Sequence, residues 1–160
     1  MIDKKRQIKL NAPLSCVDEA RTLPAAGAHE FYFSVQPSGA KTAVSRRELP
    51  RANFSKMSDV ELAIEAAHKR GCRVFLALNK AFYIDEEIPA AIKLLHNCAD
   101  AGTDGVIVAD AGLLSLLHRE GWQKRMEISL STVAAPLNST AIEFYKQFGI
   151  SRVILPRHIA

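Results

Sequence analysis

GVIVAD, residues 105–110, is an unbroken apolar run that stops at a carboxylate. A strand with one wet face alternates apolar and polar side chains, whereas a strand covered on both faces has no reason to alternate. The run therefore predicts a strand buried on both sides, and Asp110 marks the point where that burial opens. Five further runs share this grammar: IKLNAP (8–13), EFYFSV (30–35), RVFLALN (73–79), MEISLST (126–132) and RVILP (152–156). Most are continuous rather than alternating, which is the mark of parallel strands covered by helices.

The segments between them carry helix punctuation. In SDVELAIEAAHKRG (58–71), Ser58 with Glu61 reads as a capping box, Val60, Ile64 and Ala67 form an apolar stripe, and Gly71 ends the helix. After Asp85, the acids Glu86 and Glu87 fall in a first turn with Pro89, Ile88, Ile92 and Leu95 make the stripe, and Gly102 closes it. Thr140 with Glu143 opens a third such segment, which ends at Gly149. Each closing glycine lies a few residues before the next strand, so the order is βα repeated, not a set of hairpins. The stretch QPSGAKTAVSRRELPRANFSK (36–56) has no sustained period and reads as a long βα connection, the kind that usually carries function.

Composition bounds the rest. At 160 residues, 48% hydrophobic and 24% charged, the chain has the composition of one soluble α/β domain, expected to span 1–160 without an internal boundary. The expected location is cytoplasmic: no apolar leader follows the basic opening residues, and no run approaches the roughly 18 apolar residues of a membrane span. Cys16, Cys72 and Cys98 are widely spaced with no CxxC pair, which argues against a disulfide framework or a zinc site, so no metal ligands are assigned. Residues 1–56 carry ten Lys and Arg against five acids, and the remainder eleven against twelve, so a basic first third could face an anionic partner such as RNA. The phosphate-cradling glycine patterns GxGxxG and GxxxxGK[ST] and the nucleophile elbow GxSxG are absent.

In a parallel α/β fold the carboxyl ends of the strands share one face, and ligands bind there. The polar strand exits are Asn79, Asp110, Ser131, Thr132 and Arg157, and the loop residues Arg51, Asn53 and Asn138 would join them. Asp110 and Arg157 are the candidate catalytic groups, Asp110 as base or anchor and Arg157 for a carboxylate or phosphate. Arg51, Asn53, Asn79, Ser131, Thr132 and Asn138 are the candidate substrate-binding groups. Asp110 is equally placed to cap the helix that begins with AGLLSLL, and Asn138 is as well suited to a cap or turn as to a ligand contact.

RANFS (51–55), AAHKRGCRVFLALN (66–79), AGTDGVIVADAGLL (101–114) and ISLSTVAAPLNSTAIEFYKQFGISRVILPRH (128–158), taken in order, resemble the N-terminal part of the collagenase-like peptidases, peptidase family U32. The resemblance implies a TIM-barrel-like fold and a peptidase activity. In some members it implies hydroxylation of RNA bases or quinone precursors with an iron–sulfur cluster. The chain departs from the family's pattern in three places: Ala111 stands where the family commonly has proline, Val133 where it has glutamine, and His158 where it has glutamate. A (β/α)8 barrel takes about 250 residues, so 160 residues hold five to six βα units. The expectation is a partial barrel, the N-terminal part of a longer (β/α)8-like protein, whose open edge meets the missing barrel half or a second copy. Cluster ligation takes about four thiolates, so an iron–sulfur cofactor is expected only with residues beyond Ala160.

Three functions compete on these grounds. The preferred one is a peptidase-family protein whose strand exits form part of a site for a peptide or RNA-linked substrate. Another is an iron–sulfur-dependent hydroxylation factor for RNA bases or quinone precursors. The third is a non-catalytic binding or assembly module built on a half-barrel or a flavodoxin-like sheet.

Overall fold

A computed structural model of the chain describes residues 8–36 and 53–157. It contains six strands, β1 (Leu10–Pro13), β2 (Ala28–Phe33), β3 (Arg73–Leu78), β4 (Gly105–Val108), β5 (Glu127–Leu130) and β6 (Arg152–Val153). Five helices alternate with them: α1 (Val17–Thr22), α2 (Met57–His68), α3 (Ile88–Asp100), α4 (Ala111–Arg119) and α5 (Ser139–Lys146). The strands form one sheet in the order β1-β2-β3-β4-β5-β6, every pair parallel. Each crossover steps to the next strand in the same direction. With the right-handedness that βαβ units obey, this places every helix on one face. Strand order never reverses, as it would in a flavodoxin-like sheet, so the open doubly wound alternative is excluded.

Side-chain alternation divides the strands between the two faces. Phe31, Phe33, Val74, Leu76, Leu78, Val106, Val108, Ile128 and Leu130 belong to one buried cluster with Val60, Ile64 and Ala67 of α2, Leu95 of α3 and Leu113 and Leu117 of α4. Each such side chain contributes about 1.5–3 kcal/mol on leaving water, so this layer between sheet and helices is the main source of stability. Phe75, Ala77 and Ile107 occupy the alternate positions; they are buried but lie outside that cluster. They face the concave side, which explains why the runs are apolar throughout.

The ladder register measures the curvature. Glu30 pairs with Arg73, whereas Ala77, further along the same strand, pairs with Ile107, Ile107 with Ser129, and Ser129 with Arg152. Arg152 thus stands about four rows above Glu30 and four strands away, the roughly one-residue-per-strand stagger of an eight-stranded barrel of shear 8. Its guanidinium nevertheless grips the Glu30 carboxylate, Nη1 to Oε2 at 2.6 Å and Nη2 to Oε1 at 3.1 Å. That contact requires the sheet to wrap around an axis, as in half of a TIM barrel.

The concave face carries a charged floor at the amino ends of the strands. Arg152 Nε also reaches Glu127 at 2.9 Å, Arg73 Nη1 reaches Glu127 at 2.9 Å, and Lys9 stands 3.7 Å from Glu30. The guanidiniums of Arg73 and Arg152 lie 4.9 and 4.8 Å from the centroid of the Phe75 ring. Gly105 makes room for that ring: a Cβ there would fall 2.7 Å from Phe75 and 2.6 Å from the Glu127 carbonyl oxygen. The floor is therefore packed and charge-compensated, as a barrel bottom must be.

Local punctuation differs from expectation at three helices. The α2 N-cap is Lys56, without a side-chain cap, and Ser58 lies inside the first turn, so the Ser58–Glu61 capping box does not form. For α5 the cap is Asn138, whose Oδ1 accepts the Ala141 N–H at 2.9 Å, in place of Thr140. The short α1 was not expected at all; at six residues it is too brief for its period to stand out. The glycines ending α2, α3 and α5 behave as read, Gly71, Gly102 and Gly149 having φ of 71°, 96° and 74°.

Candidate functional site

The alternation that sends Glu30, Arg73 and Glu127 to the floor sends the next inward residues to the opposite end. Asn11, Tyr32, Ala77, Asn79, Ile107, Ser131, Thr132, Ile154, Leu155 and Arg157 line a mouth of about 360 Å³ at the carboxyl ends of the strands. Four of the expected residues, Asn79, Ser131, Thr132 and Arg157, meet there. Asn79 comes from the exit of β3, Ser131 and Thr132 from the exit of β5, and Arg157 from the segment after β6. The size is that of a small-molecule or single-base site. Its lining combines aliphatic walls with amides, hydroxyls, a phenol and one guanidinium.

Ser131 is buried, and its hydroxyl accepts the Val133 N–H at 3.2 Å, starting the single 3₁₀ turn Thr132–Ala134. That turn carries Thr132 to the rim. Ala135 then takes φ 51°, a left-handed conformation that turns the chain toward α5. Arg157 is exposed, with no ion pair among the described residues, so its charge is available at the mouth.

The other expected residues lie elsewhere. Asp110 does not line the mouth: Oδ1 accepts the Leu113 N–H at 2.6 Å, capping α4, and Oδ2 accepts the Tyr83 N–H at 3.2 Å. It is the anchor between the β3–α3 loop and the start of α4. Asn53 borders a separate recess of about 190 Å³ with Ser15, Cys16, Phe54 and Asp59. Asn138 serves as the α5 cap. Arg51 falls outside the described residues, as does His158.

Asn11 and Tyr32 were missed, although the signal was present. Tyr32 lies two residues after Glu30, so the period of two puts both on the same face. Tyr83 is the other unanticipated member of the rim. Burial, reinforced by the negative charges of Asp110 and Glu87, pushes its phenol well above the ordinary tyrosine range. Beside it Lys80 pairs with Glu87 at 2.6 Å, and that hydrogen bond is the main cause holding the Glu87 carboxyl below its usual value.

The cysteines do not form a cluster-binding set. Cys16 is exposed near Asn53, Cys72 is buried and its thiol donates to the Ala28 carbonyl at 3.2 Å, and Cys98 is buried in α3. Burial raises the Cys72 thiol and pushes Cys98 up to about 12, so neither is a ready thiolate. These three residues do not fit an iron–sulfur cluster, which takes about four thiolates converging on one site.

A parallel, singly wound half-barrel whose polar strand exits meet at one mouth is the architecture of the (β/α)8-type proteins. Within that class the chain belongs to peptidase family U32, whose description it matches over residues 15–160. It superposes on the solved structure of the U32 peptidase Mk0906 with a TM-score of 0.65 at 19% identity, over 97% of this chain and 61% of the other. It is 31% identical over 110 residues to tRNA hydroxylation protein P of Haemophilus influenzae, 69% of this chain and 23% of that protein. It is also 23% identical over 159 residues to the 23S rRNA 5-hydroxycytidine C2501 synthase of Escherichia coli, 99% of this chain and 22% of that protein. The chain thus spans less than a quarter of the length of these two relatives. No described helix is long and apolar enough to cross a membrane.

Proposed function

We propose that this chain forms the substrate-binding face of a cytoplasmic protein that hydroxylates RNA bases, and that its half-barrel is the N-terminal part of a (β/α)8-like whole. The observation that carries this reading is the chemistry of the mouth. Asn79, Ser131, Thr132 and Tyr32 offer donors and acceptors around aliphatic walls, with Arg157 on the rim. Such a set suits a flat, hydrogen-bonding ring attached to a phosphate. Among the described residues no carboxylate, thiol or imidazole lines it. Hydrolysis of a peptide bond takes an activated nucleophile or a general base within hydrogen-bond reach, and the Ser131 hydroxyl is instead engaged with the backbone of its own turn. The names of the two relatives favour the same substrate class. Hydroxylation also takes a redox group, which the three cysteines of this chain do not hold. The part assigned to these residues is to bind and orient the base.

The peptidase reading is favoured by the family description and the U32 peptidase structure. One pair of measurements separates the two. Mass spectrometry of nucleosides from cells lacking the gene is expected to show loss of a hydroxylated pyrimidine, restored by the wild-type gene but not by a copy carrying Arg157→Ala together with Asn79→Ala. An unchanged nucleoside profile, with hydrolysis of a peptide library by the purified full-length protein, would overturn the proposal in favour of the peptidase.

A further inference from the structure

The loop between β3 and α3 holds an exposed aromatic ring in a fixed frame. Residues 79–87 leave the sheet at Asn79, a mouth residue, and enter α3 after Glu87. The loop is fastened at three points. Lys80 Nζ lies 2.6 Å from Glu87 Oε1, with both side chains mostly buried, and 5.2 Å from the centroid of the Tyr83 ring. Glu87 Oε2 accepts the Ile84 N–H at 3.2 Å, while the Ile84 carbonyl accepts the Glu87 N–H at 2.9 Å. Asp110 Oδ2, from the end of β4, accepts the Tyr83 N–H at 3.2 Å. Between the first and last of these fastenings, Phe82 is 68% exposed and stacks on no other ring or cation among the described residues.

A large apolar ring on a slack loop folds back onto the protein. Here the backbone on both sides is tied, so the ring is held away from the core by construction. Two chemistries cover such a ring: another apolar protein surface or the face of an unstacked base. Three observations favour the base. The loop that carries the ring leaves the sheet at the mouth residue Asn79, from the interior strand β3 rather than from a sheet edge. The mouth carries the exposed guanidinium of Arg157, which has no ion pair among the described residues. In sequence the 36–56 stretch carries five Lys and Arg, and Val35 and Phe54, near its two ends, form a bridge just past the end of β2. Base stacking on an exposed aromatic with a nearby cation for the backbone is the common means by which proteins hold single-stranded RNA.

We propose that Phe82 is a stacking platform for an unpaired RNA base next to the one that enters the mouth, so that the loop selects single-stranded or looped RNA over duplex. This rests on the RNA reading given above and names the strand feature it requires.

The test is fluorescence anisotropy of the purified protein with a labelled single-stranded RNA oligonucleotide of mixed sequence and with the same sequence as a duplex. Phe82→Leu, which keeps apolarity but loses the π-face, is expected to weaken single-strand binding by about tenfold and leave the thermal midpoint unchanged. Phe82→Trp is expected to restore it and to show quenching of the new indole on RNA addition. Added to Phe82→Trp, Arg157→Ala is expected to weaken binding and flatten its salt dependence while leaving that quenching in place at saturating RNA. If wild type binds and Arg157→Ala weakens it but Phe82→Leu binds as wild type does, the platform falls and the RNA reading stands. If Phe82→Leu alters only self-association in sedimentation, the ring serves a protein contact and the proposal is overturned. Absence of RNA binding by wild type overturns both.

Discussion

Glu30 decides more about this molecule than any residue at the mouth. Its side chain is 5% exposed and it faces Arg152, Arg73 and Lys9. Burial alone would raise its carboxyl; the paired hydrogen bonds and the charge of Arg152, with Lys9 and Arg73, more than offset that and hold it below the ordinary range. A carboxyl depressed in the folded state stabilises the fold fully above its unfolded value near 4.5, and that contribution is lost as pH falls through the lower folded value. Thermal melts of wild type should therefore lose stability below about pH 4.5, and Glu30→Gln should show a flatter acid limb. At neutral pH the same variant should be less stable by on the order of 2 kcal/mol, because Glu127 remains to share the guanidiniums while Arg152 is about a third exposed. Among single residues the sequence exposed the exits better than their employment. Asn79, Ser131, Thr132 and Arg157 were readable as strand-end positions. Whether a carboxylate at a strand end turns inward or caps the next helix depends on one side-chain rotation, and Asp110 caps, as its sequence position equally allowed.

At the scale of elements, β3 and β4 were the most legible strands because burial on both faces writes a continuous apolar run, whereas β1 is mostly exposed and β6 half-buried. Strand ends and caps were less so. Ser58 has a favourable cap residue type and a partner three positions on, yet the helix starts a residue earlier at Met57, since backbone geometry at Lys56 decides where the first turn begins. β4 offers the clearest test of element packing. Gly105 has ordinary backbone geometry, so a side chain there fails for lack of space rather than for conformational strain. One of its near contacts is the Glu127 backbone oxygen in the neighbouring strand, which cannot rotate aside. Gly105→Ala should lower the urea midpoint, corresponding to about 1–3 kcal/mol with an unchanged denaturant slope. Phe75 would lose its seat at the same time, and with it the face on which Arg73 and Arg152 stack.

The whole molecule presents two unequal borders. Ile8 and Leu10 are exposed at the β1 side, and Leu137, Phe144 and Leu155 near the β6 side, where α5 contains no buried residue. Phe144 stacks edge-on with Tyr145 and Phe148 at 5.2 and 5.6 Å, so an aromatic group stands there with no layer over it among the described residues. Uncovered parallel strands and apolar borders favour association. The isolated 160-residue chain should show a sedimentation coefficient that rises with concentration, and Phe144→Ser combined with Leu155→Ser should reduce that rise; a monomer at all concentrations would refute the expectation. The half-barrel form itself followed from length against about 31 residues per βα unit, whereas curvature was not in the apolar pattern at all. It became visible only in the offset between Glu30 and Arg152.

That offset also has a temporal meaning. The clasp joins residues 122 positions apart, so its acidic half leaves the ribosome long before its basic half exists. Until then β-pairing and the packing of the helices already made shape the nascent sheet, and Glu30 has Lys9 and Arg73 beside it. Bending is thus a late event in the life of each newly synthesised molecule, with the high contact order that slows assembly, and the mouth takes its final form only when Arg152 arrives.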